Sequence, residues 1–134
     1  MPDLSKIVRA VREIVAEQPN HAYRPPLEPP LLPPWFETSE ECCLYVEDGP
    51  EGPRPSCLIG CAAIRSGLPI AEVATWDYRP ESGIHLVMHS YGLHGQEILW
   101  LREIQFWQDK RVTWETATRY ADTYFELHHG GVQW

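Results

Sequence analysis

All four cysteines of this 134-residue chain lie within residues 42–61, and they are the first candidates for chemistry because thiolates bind metals and act as nucleophiles. A zinc site takes about four ligands, usually delivered as close pairs such as Cys-x-x-Cys. Cys42 and Cys43 are adjacent and would point to opposite faces of a strand, whereas Cys57 and Cys61 share one face of a helix. This spacing favours cysteines buried as small apolar side chains, with zinc binding or a Cys43–Cys57 disulfide as alternatives.

The histidines offer a second candidate metal site. His85 and His89 are four residues apart, so they project to the same side of a helix, and His94 follows shortly after. Together with His94 or one of the cysteines Cys57 and Cys61 they could hold a catalytic zinc that keeps one position open for water. No glutamate stands between His85 and His89 to act as a general base. Half-exposed histidines beside an apolar face are therefore the favoured interpretation, and a zinc-binding protein or metal-dependent hydrolase is the alternative.

Nucleophilic catalysis is a third possibility, because Ser56 and Cys57 stand at a predicted strand-to-helix turn and a helix N-terminus lowers the pKa of a thiol. The chain has no Gly-x-Ser-x-Gly elbow, no recognisable oxyanion loop and no glycine-rich phosphate loop. The sequence therefore names no reaction, and a non-enzymatic function without a cofactor is the favoured interpretation.

An acid-rich segment around the predicted turn is the candidate binding surface. Its candidate partner-binding residues, with Tyr45 expected to be exposed beside the acids, are Glu40, Glu41, Tyr45, Glu47, Asp48 and Glu51. Clustered carboxylates can steer a basic partner or imitate the phosphates of a nucleic acid. The alternative is a solvated edge that discourages pairing with other strands.

The charge balance narrows the class of partner. The 19 acidic and 11 basic side chains give a net charge of −8, which disfavours direct binding to nucleic acid because phosphate contacts depend on clustered Lys and Arg. No apolar run approaches the roughly 20 residues that span a bilayer. We therefore expect a cytoplasmic protein with no membrane partner.

Apolar periodicity predicts a single, mainly helical α+β domain over residues 1–134, with four to five helices, one small β-hairpin and a proline-rich strap. The predicted segments are an amphipathic helix at 3–18, the strap at 19–36, the hairpin and helix entry at 42–61, and the C-terminal helices at 82–128. Asp3 is predicted to cap the first helix and Pro19 to end it. Ser56 and Ser82 are predicted to cap the helices that follow them, and Gly130 is predicted to close the last helix in a left-handed conformation.

Three Pro-Pro pairs within residues 25–34 predict an extended polyproline II path. Pro26-x-x-Pro29 and Pro30-x-x-Pro33 match the pattern of ligands for proline-binding grooves. The favoured interpretation is a stiff strap that packs onto the helices, since such motifs are short and common.

Trp100, Trp107 and Trp114 are seven residues apart and would align along one uninterrupted helix as an aromatic seam for a partner. The favoured alternative is a break at residues 111–113, with Thr113 as the N-cap of a second helix, because a helix of more than thirty residues is rare in so small a domain. The two predicted helices then span residues 96–110 and 114–128.

Two parts of the chain resemble a group of small uncharacterised proteins encoded by actinobacteria and their bacteriophages. The matching motifs are Cys-x-Tyr-Val at 43–46, Pro-Ser-Cys-x-x-Gly at 55–60, and Gln-Asp-x-x-x-Thr-Trp-x-x-Ala at 108–117. The resemblance covers under half of the chain and implies a phage or actinobacterial accessory protein with Cys43 and Cys57 as a structural pair. Arg111 stands where those proteins often have glycine, so a left-handed turn is not expected there, since it costs a non-glycine residue about 1 kcal/mol or more.

The sequence as a whole favours a small non-enzymatic accessory or host-interaction protein that binds another protein, such as a host protein, through an acidic and aromatic surface. The alternatives are the zinc protein or hydrolase described above and an acidic imitation of nucleic acid.

Overall fold

The computed structural model describes residues 1–24, 44–78 and 83–134. Its helices are α1 (Leu4–Glu17), α2 (Leu58–Arg65), α3 (Ile70–Thr75), α4 (Ile84–Ser90), α5 (Gln96–Asp109) and α6 (Trp114–His129). Two strands, β1 (Val46–Gly49) and β2 (Gly52–Pro55), form an antiparallel hairpin, and a 3-10 helix (Trp76–Tyr78) follows α3. The predicted α+β, mainly helical class is confirmed, with six α-helices in the described ranges instead of four to five. The three Pro-Pro pairs lie outside the described residues.

Helix α1 forms as its apolar stripe predicts. The Asp3 carboxylate accepts a hydrogen bond from the Lys6 N–H at 3.2 Å, which confirms Asp3 as the N-cap, and the helix ends just before Pro19. One face is buried against α2, and paired hydrogen bonds of 2.7 Å from Arg65 to the Glu17 carboxylate join the two helices at their edge. Apolar burial therefore sets this contact, and the exposed ion pair adds little to it.

The start of α2 differs from the prediction. Cys57, not Ser56, is the N-cap, and its sulfur accepts a hydrogen bond from the Gly60 N–H at 3.3 Å. The Ser56 N–H instead donates to the Tyr45 carbonyl at 3.0 Å. Because this bond continues the pairing of the hairpin past its last strand residue, Ser56 is held extended and the helix begins later.

The hairpin has a tighter turn than the acid-rich sequence suggested. Val46 pairs with Pro55 and the register continues to Gly49 and Gly52, so that only two residues form the loop. Gly52 has a φ of +115°, which glycine adopts without strain. The hairpin packs against α2 and α3, as expected for two strands that are marginally stable alone.

The break between α5 and α6 is confirmed, and the single long helix with three aligned tryptophans does not form. Thr113 caps α6 by accepting a hydrogen bond from the Thr116 N–H at 3.2 Å. Ala22 forms an isolated antiparallel bridge with Thr113, and the Trp114 N–H donates to the His21 carbonyl at 2.7 Å. A segment near the N-terminus therefore fixes the point at which α6 starts.

The expectation that Arg111 would prevent a left-handed turn was wrong. Arg111 has a φ of +69°, the only positive value for a non-glycine residue in the described ranges. Its N–H donates to the Gln108 carbonyl at 3.0 Å, and its guanidinium carbon lies 5.2 Å from the centre of the Tyr23 ring. These contacts offset a backbone cost of about 1 kcal/mol.

Helix α4 starts at Ile84 with Gly83 in the N-cap position and no side-chain cap there; the predicted cap, Ser82, lies outside the described residues. The Ile84 N–H donates instead to the side-chain carbonyl of Gln105 on α5 at 2.8 Å. At the other end of the chain, Gly130 closes α6 with a φ of +73°, as predicted.

The core lies between α1, α2, α5 and α6, and its largest fully buried side chains include Trp76, Trp100 and Phe125. The Trp100 indole N–H donates to the Asp122 carboxylate at 2.9 Å, and Arg12 forms paired hydrogen bonds to the same carboxylate. None of the helices in the described part of the chain is both long and apolar enough to cross a membrane.

Candidate functional site

Among the described motif residues, residues 44–46, residues 55–60 and Gln108 meet at the entrance to the hairpin and the start of α2. Residues 44–46 lead into β1, and their three backbone N–H groups all donate to side chains. The Leu44 N–H donates to the Tyr23 hydroxyl at 3.0 Å, and the Tyr45 and Val46 N–H groups donate to the two carboxylate oxygens of Asp77 at 2.9 and 3.1 Å. Side chains distant in sequence therefore accept the backbone hydrogen bonds that a neighbouring strand would otherwise accept.

Tyr45 was expected to be exposed as part of a binding surface, and that expectation was wrong. Its side chain is 1% exposed, and its ring meets Trp76 edge to face with centroids 5.4 Å apart. Its hydroxyl accepts a hydrogen bond from the Gln105 side-chain amide at 2.8 Å. The same Gln105 holds the first N–H of α4, so one buried amide joins the hairpin entrance to two helices.

Gln108 plays the corresponding part for α2. Its fully buried side-chain carbonyl accepts a hydrogen bond from the Leu58 N–H at 2.7 Å, which supplies an acceptor to the first turn of α2 from a residue fifty positions away. Gly60 in the same turn lies against the Tyr45 carbonyl, and a Cβ at this position would collide with that backbone. We call Tyr23, Tyr45, Asp77, Gln105 and Gln108 the anchoring network.

Asp77 is an ionisable group of the anchoring network whose titration is strongly altered. Burial raises the pKa of Asp77 to about 7, although the hydrogen bonds from the Tyr45 and Val46 N–H groups oppose this shift. The carboxyl group borders a cleft of about 60 Å³. The sequence analysis did not identify Asp77, whose only signal is a carboxylate set among apolar residues between Trp76 and Tyr78.

The anchoring network has the composition of a scaffold. Both Asp77 oxygens accept backbone N–H groups, and the two glutamine carbonyls do the same. No nucleophile lies beside a base in this set, as catalysis by a serine or cysteine would need. The motif residues here satisfy buried backbone groups, which is required where a chain turns inside the core.

The described cysteines are poorly suited to reaction. Cys57 and Cys61 are free thiols, and Cys42 and Cys43 lie outside the described residues, so the structural pairing of Cys43 with Cys57 stays a prediction. Burial, and secondarily the neighbouring Cys57, raises the pKa of Cys61 to about 12. A thiol with such a pKa is almost entirely protonated at neutral pH, and metal binding needs the thiolate.

The three histidines do not assemble into a metal site. Among the described residues, no group of three or more His, Cys, Asp or Glu side chains is placed to hold a metal ion. The rings of His89 and His94 do meet, with centroids 5.3 Å apart. Burial lowers the pKa of His85, and the nearby charges of Arg102 and His89 act in the same direction.

Three of the five acidic residues predicted to bind a partner, Glu47, Asp48 and Glu51, lie in the described part of the chain. Glu47 is partly buried and accepts a hydrogen bond from the Arg54 guanidinium at 3.2 Å, while Asp48 and Glu51 are exposed. Glu40 and Glu41 lie outside the described residues. Within the described part of this segment, the net excess of negative charge is thus two, because Arg54 faces Glu47 across the hairpin.

A different surface emerges on the outer side of the helical hairpin formed by α5 and α6. Phe106 of α5 and Tyr120 of α6 each contact the ring of Trp107, and we call these three side chains the aromatic face. The ring centroids are 5.1 Å apart for Phe106 and Trp107 and 4.8 Å for Trp107 and Tyr120, with interplanar angles of 86° and 72°. Phe106 is 51% exposed and Tyr120 is 40% exposed. The Lys110 ammonium lies 5.3 Å from the Phe106 ring centre.

The sequence analysis named Trp107 only as one of three tryptophans seven residues apart and did not use Phe106 or Tyr120. Phe106 lies on the side of the helix opposite the buried residues Leu101, Ile104 and Gln108, a position that a polar residue usually occupies. The sequence therefore offered one signal for this surface, which is an aromatic residue at a helix position outside the apolar stripe.

Two hydrogen-bond donors of the aromatic face have no acceptor among the described residues, the Trp107 indole N–H and the Tyr120 hydroxyl. Both belong to side chains that reach solvent. The face thus offers apolar rings together with two polar groups able to donate to a ligand.

No protein-family model matches the chain, and neither does any curated protein or solved structure.

Proposed function

We propose that this protein is a small non-enzymatic binding protein that docks another protein on its aromatic face. The observation that carries the proposal is that Phe106 and Tyr120 both contact Trp107 and are themselves about half exposed. Aromatic side chains are enriched at the centres of protein interfaces because they bury a large area with few rotatable bonds.

The packing of the three rings on one another supports this proposal. Phe106 and Tyr120 each pack edge to face on Trp107, which is itself half-buried between α5 and α6. Side chains held in one arrangement before binding lose less conformational entropy when a partner docks. The helical hairpin that carries them packs into the core through Trp100, Ile104 and Phe125.

The acidic hairpin has a secondary part in the proposal. Asp48 and Glu51 are exposed at its tip, and such charges influence the rate and salt dependence of association more than the affinity. The proposal also includes a role as a phage or actinobacterial accessory protein, and this part rests on the motif resemblance alone.

A photo-crosslinking experiment tests the proposed site. A benzophenone amino acid is introduced in place of Phe106, in place of Glu51 at the hairpin tip, or in place of Tyr78, which is 48% exposed and borders the side of the hairpin at Asp48 and Pro53. Irradiation in an extract of the source cells should give one discrete adduct from position 106 and none from position 78. Adducts from position 51 alone would move the binding site to the hairpin, and equal labelling from all three positions would contradict a defined docking face.

A further inference from the structure

We propose that Asp77 is a pH-sensitive latch, and that its ionisation loosens the attachment of the hairpin entrance, residues 44–46, to the 3-10 helix Trp76–Tyr78. The latch shares no residue with the aromatic face and does not depend on the function proposed for that surface. It is a conformational device that acts on one part of the fold while the rest stays folded.

The hydrogen bonds of Asp77 join two parts of the fold. Its carboxyl oxygens accept the Tyr45 N–H at 2.9 Å and the Val46 N–H at 3.1 Å, and these two residues lead into β1. The hairpin that continues from this point has two strands, and such a sheet is marginally stable on its own. A change of charge on this carboxyl group therefore acts on the backbone that attaches the hairpin.

The Asp77 carboxyl group is buried without a counter-ion. The residue is 3% exposed, and no basic side chain in the described ranges forms an ion pair with it. A buried charge needs an opposite charge as well as hydrogen bonds. Ionisation of Asp77 therefore costs free energy while the entrance is closed, and opening of the entrance would hydrate the carboxylate and remove this cost.

The ionisable side chains of the elements packed around Asp77 do not compensate its charge. Those of β1, β2, α3 and the 3-10 helix are Glu47, Asp48, Arg54, Glu72 and Tyr78. Arg54 is the cation among them, and it is paired with Glu47 across the hairpin at 3.2 Å. Asp48 and Tyr78 line the same cleft as Asp77, and neither can carry a positive charge.

The direction of the pH dependence follows from this burial. The pKa of Asp77 is raised to about 7 in the closed protein, whereas a hydrated carboxyl group keeps its ordinary value of 3.8. The open entrance therefore binds the proton less tightly than the closed entrance does. Opening becomes more favourable as the pH rises from about 4 to about 7, and it changes little above about pH 8.

The test is hydrogen exchange of backbone amides, followed by NMR between about pH 5 and about pH 8 and corrected for the intrinsic pH dependence of exchange. The Tyr45 and Val46 amides report opening of the latch, and the amide of the buried Ala121 within α6 reports global unfolding. Dilute urea separates the two events, because the response to urea scales with the surface that is exposed. The carbon-13 signal of the Asp77 carboxyl group follows its ionisation in the same protein.

We expect the opening equilibrium at Tyr45 and Val46 to rise about 50-fold from about pH 5 to about pH 7 and to be insensitive to dilute urea. Asp77→Asn should abolish this rise, because an amide does not ionise. Asp48→Asn removes the other carboxyl group of the cleft and should keep the rise, so it is the matched control. The variants are compared by their slopes against pH, because the Asn amide also loses one of the two hydrogen bonds.

Three results would overturn the latch. An opening equilibrium that does not change with pH would show that the closed entrance accommodates both forms of Asp77. Exchange of Tyr45 and Val46 with the same urea dependence as Ala121 would show that the entrance opens only when the whole protein unfolds. A rise retained in Asp77→Asn would assign the effect to another group. The first two results are read in the unsubstituted protein, so they do not depend on the folding of a variant.

Discussion

The anchoring network and the aromatic face both include residues of α5, yet these residues serve different purposes. Gln105 and Gln108 point into the core, and each gives its carbonyl to the first N–H of another helix. Phe106, which lies between them in sequence, is 51% exposed, and the adjacent Trp107 is half-buried and contacts it. Buried polar groups that are paired within the chain indicate a scaffold, whereas aromatic rings that reach solvent together with polar groups are typical of a binding surface.

This difference assigns separate consequences to mutations at neighbouring positions. Changes in the anchoring network should lower the free energy of unfolding, because they leave buried backbone groups without partners. Changes in the aromatic face should leave that free energy almost unchanged and should affect binding.

Gly60→Ala is expected to have the largest effect on stability. The added Cβ would meet the Tyr45 carbonyl, which is backbone and held by the Ser56 N–H, so it cannot move away without breaking the hairpin entrance. We expect a loss of about 3 kcal/mol or more in the free energy of unfolding, measured by urea denaturation. Gly83→Ala is the matched control, since its new Cβ meets only the movable His85 ring. Similar losses in both variants would contradict this role for Gly60.

Asp77 should make a contribution to the free energy of unfolding that decreases as the pH rises. Its pKa is about 7 in the folded protein and near 3.8 in the unfolded chain, so the folded state binds its proton more tightly. The contribution of Asp77 to stability should therefore fall as the pH rises from about 4 to about 7, by roughly 2 to 4 kcal/mol.

The measurement for Asp77 is the free energy of unfolding at several pH values for the unsubstituted protein and for Asp77→Asn. The difference between the two removes the contributions of the other acids. An advantage of the unsubstituted protein that grows with rising pH would show that the two N–H hydrogen bonds outweigh burial at this carboxyl.

Gln108→Leu should have a smaller but clear effect. The substitution keeps the side-chain volume but leaves the buried Leu58 N–H without its acceptor, which should cost about 1–3 kcal/mol. Gln96→Leu is the control, because Gln96 is exposed at the start of the same helix. Equal stability of the two variants in urea denaturation would remove Gln108 from the anchoring network.

Much of the fold follows from local signals in the sequence. The Asp3 cap, the Thr113 cap and the left-handed Gly130 each depend on residues within a turn of the helix end, and all three predictions are confirmed. Tertiary contacts decide the features that were mispredicted. Cys57 replaces Ser56 as the N-cap because the hairpin pairing extends to Ser56.

The candidate sites were harder to predict for the same reason. Tyr45 is buried because Gln105, sixty residues later, supplies a partner for its hydroxyl, and Asp77 binds N–H groups more than thirty residues earlier. The aromatic face joins residues from two helices whose packing the sequence does not specify. Residue types revealed the candidates, but the topology determined which were buried and which were exposed.

The smallest effect on stability and the most direct test of the account come from one double variant, Phe106→Ser with Tyr120→Ser. Both side chains are about half exposed and each gives up one edge-to-face contact with Trp107, so the free energy of unfolding should fall by about 1 kcal/mol or less for each substitution. The measurement is the affinity for the partner identified by the crosslink from position 106, with Tyr78→Ser as the matched control. We predict at least about tenfold weaker binding for the double variant and unchanged binding for the control. Full affinity in a folded double variant would contradict the assignment of binding to the aromatic face.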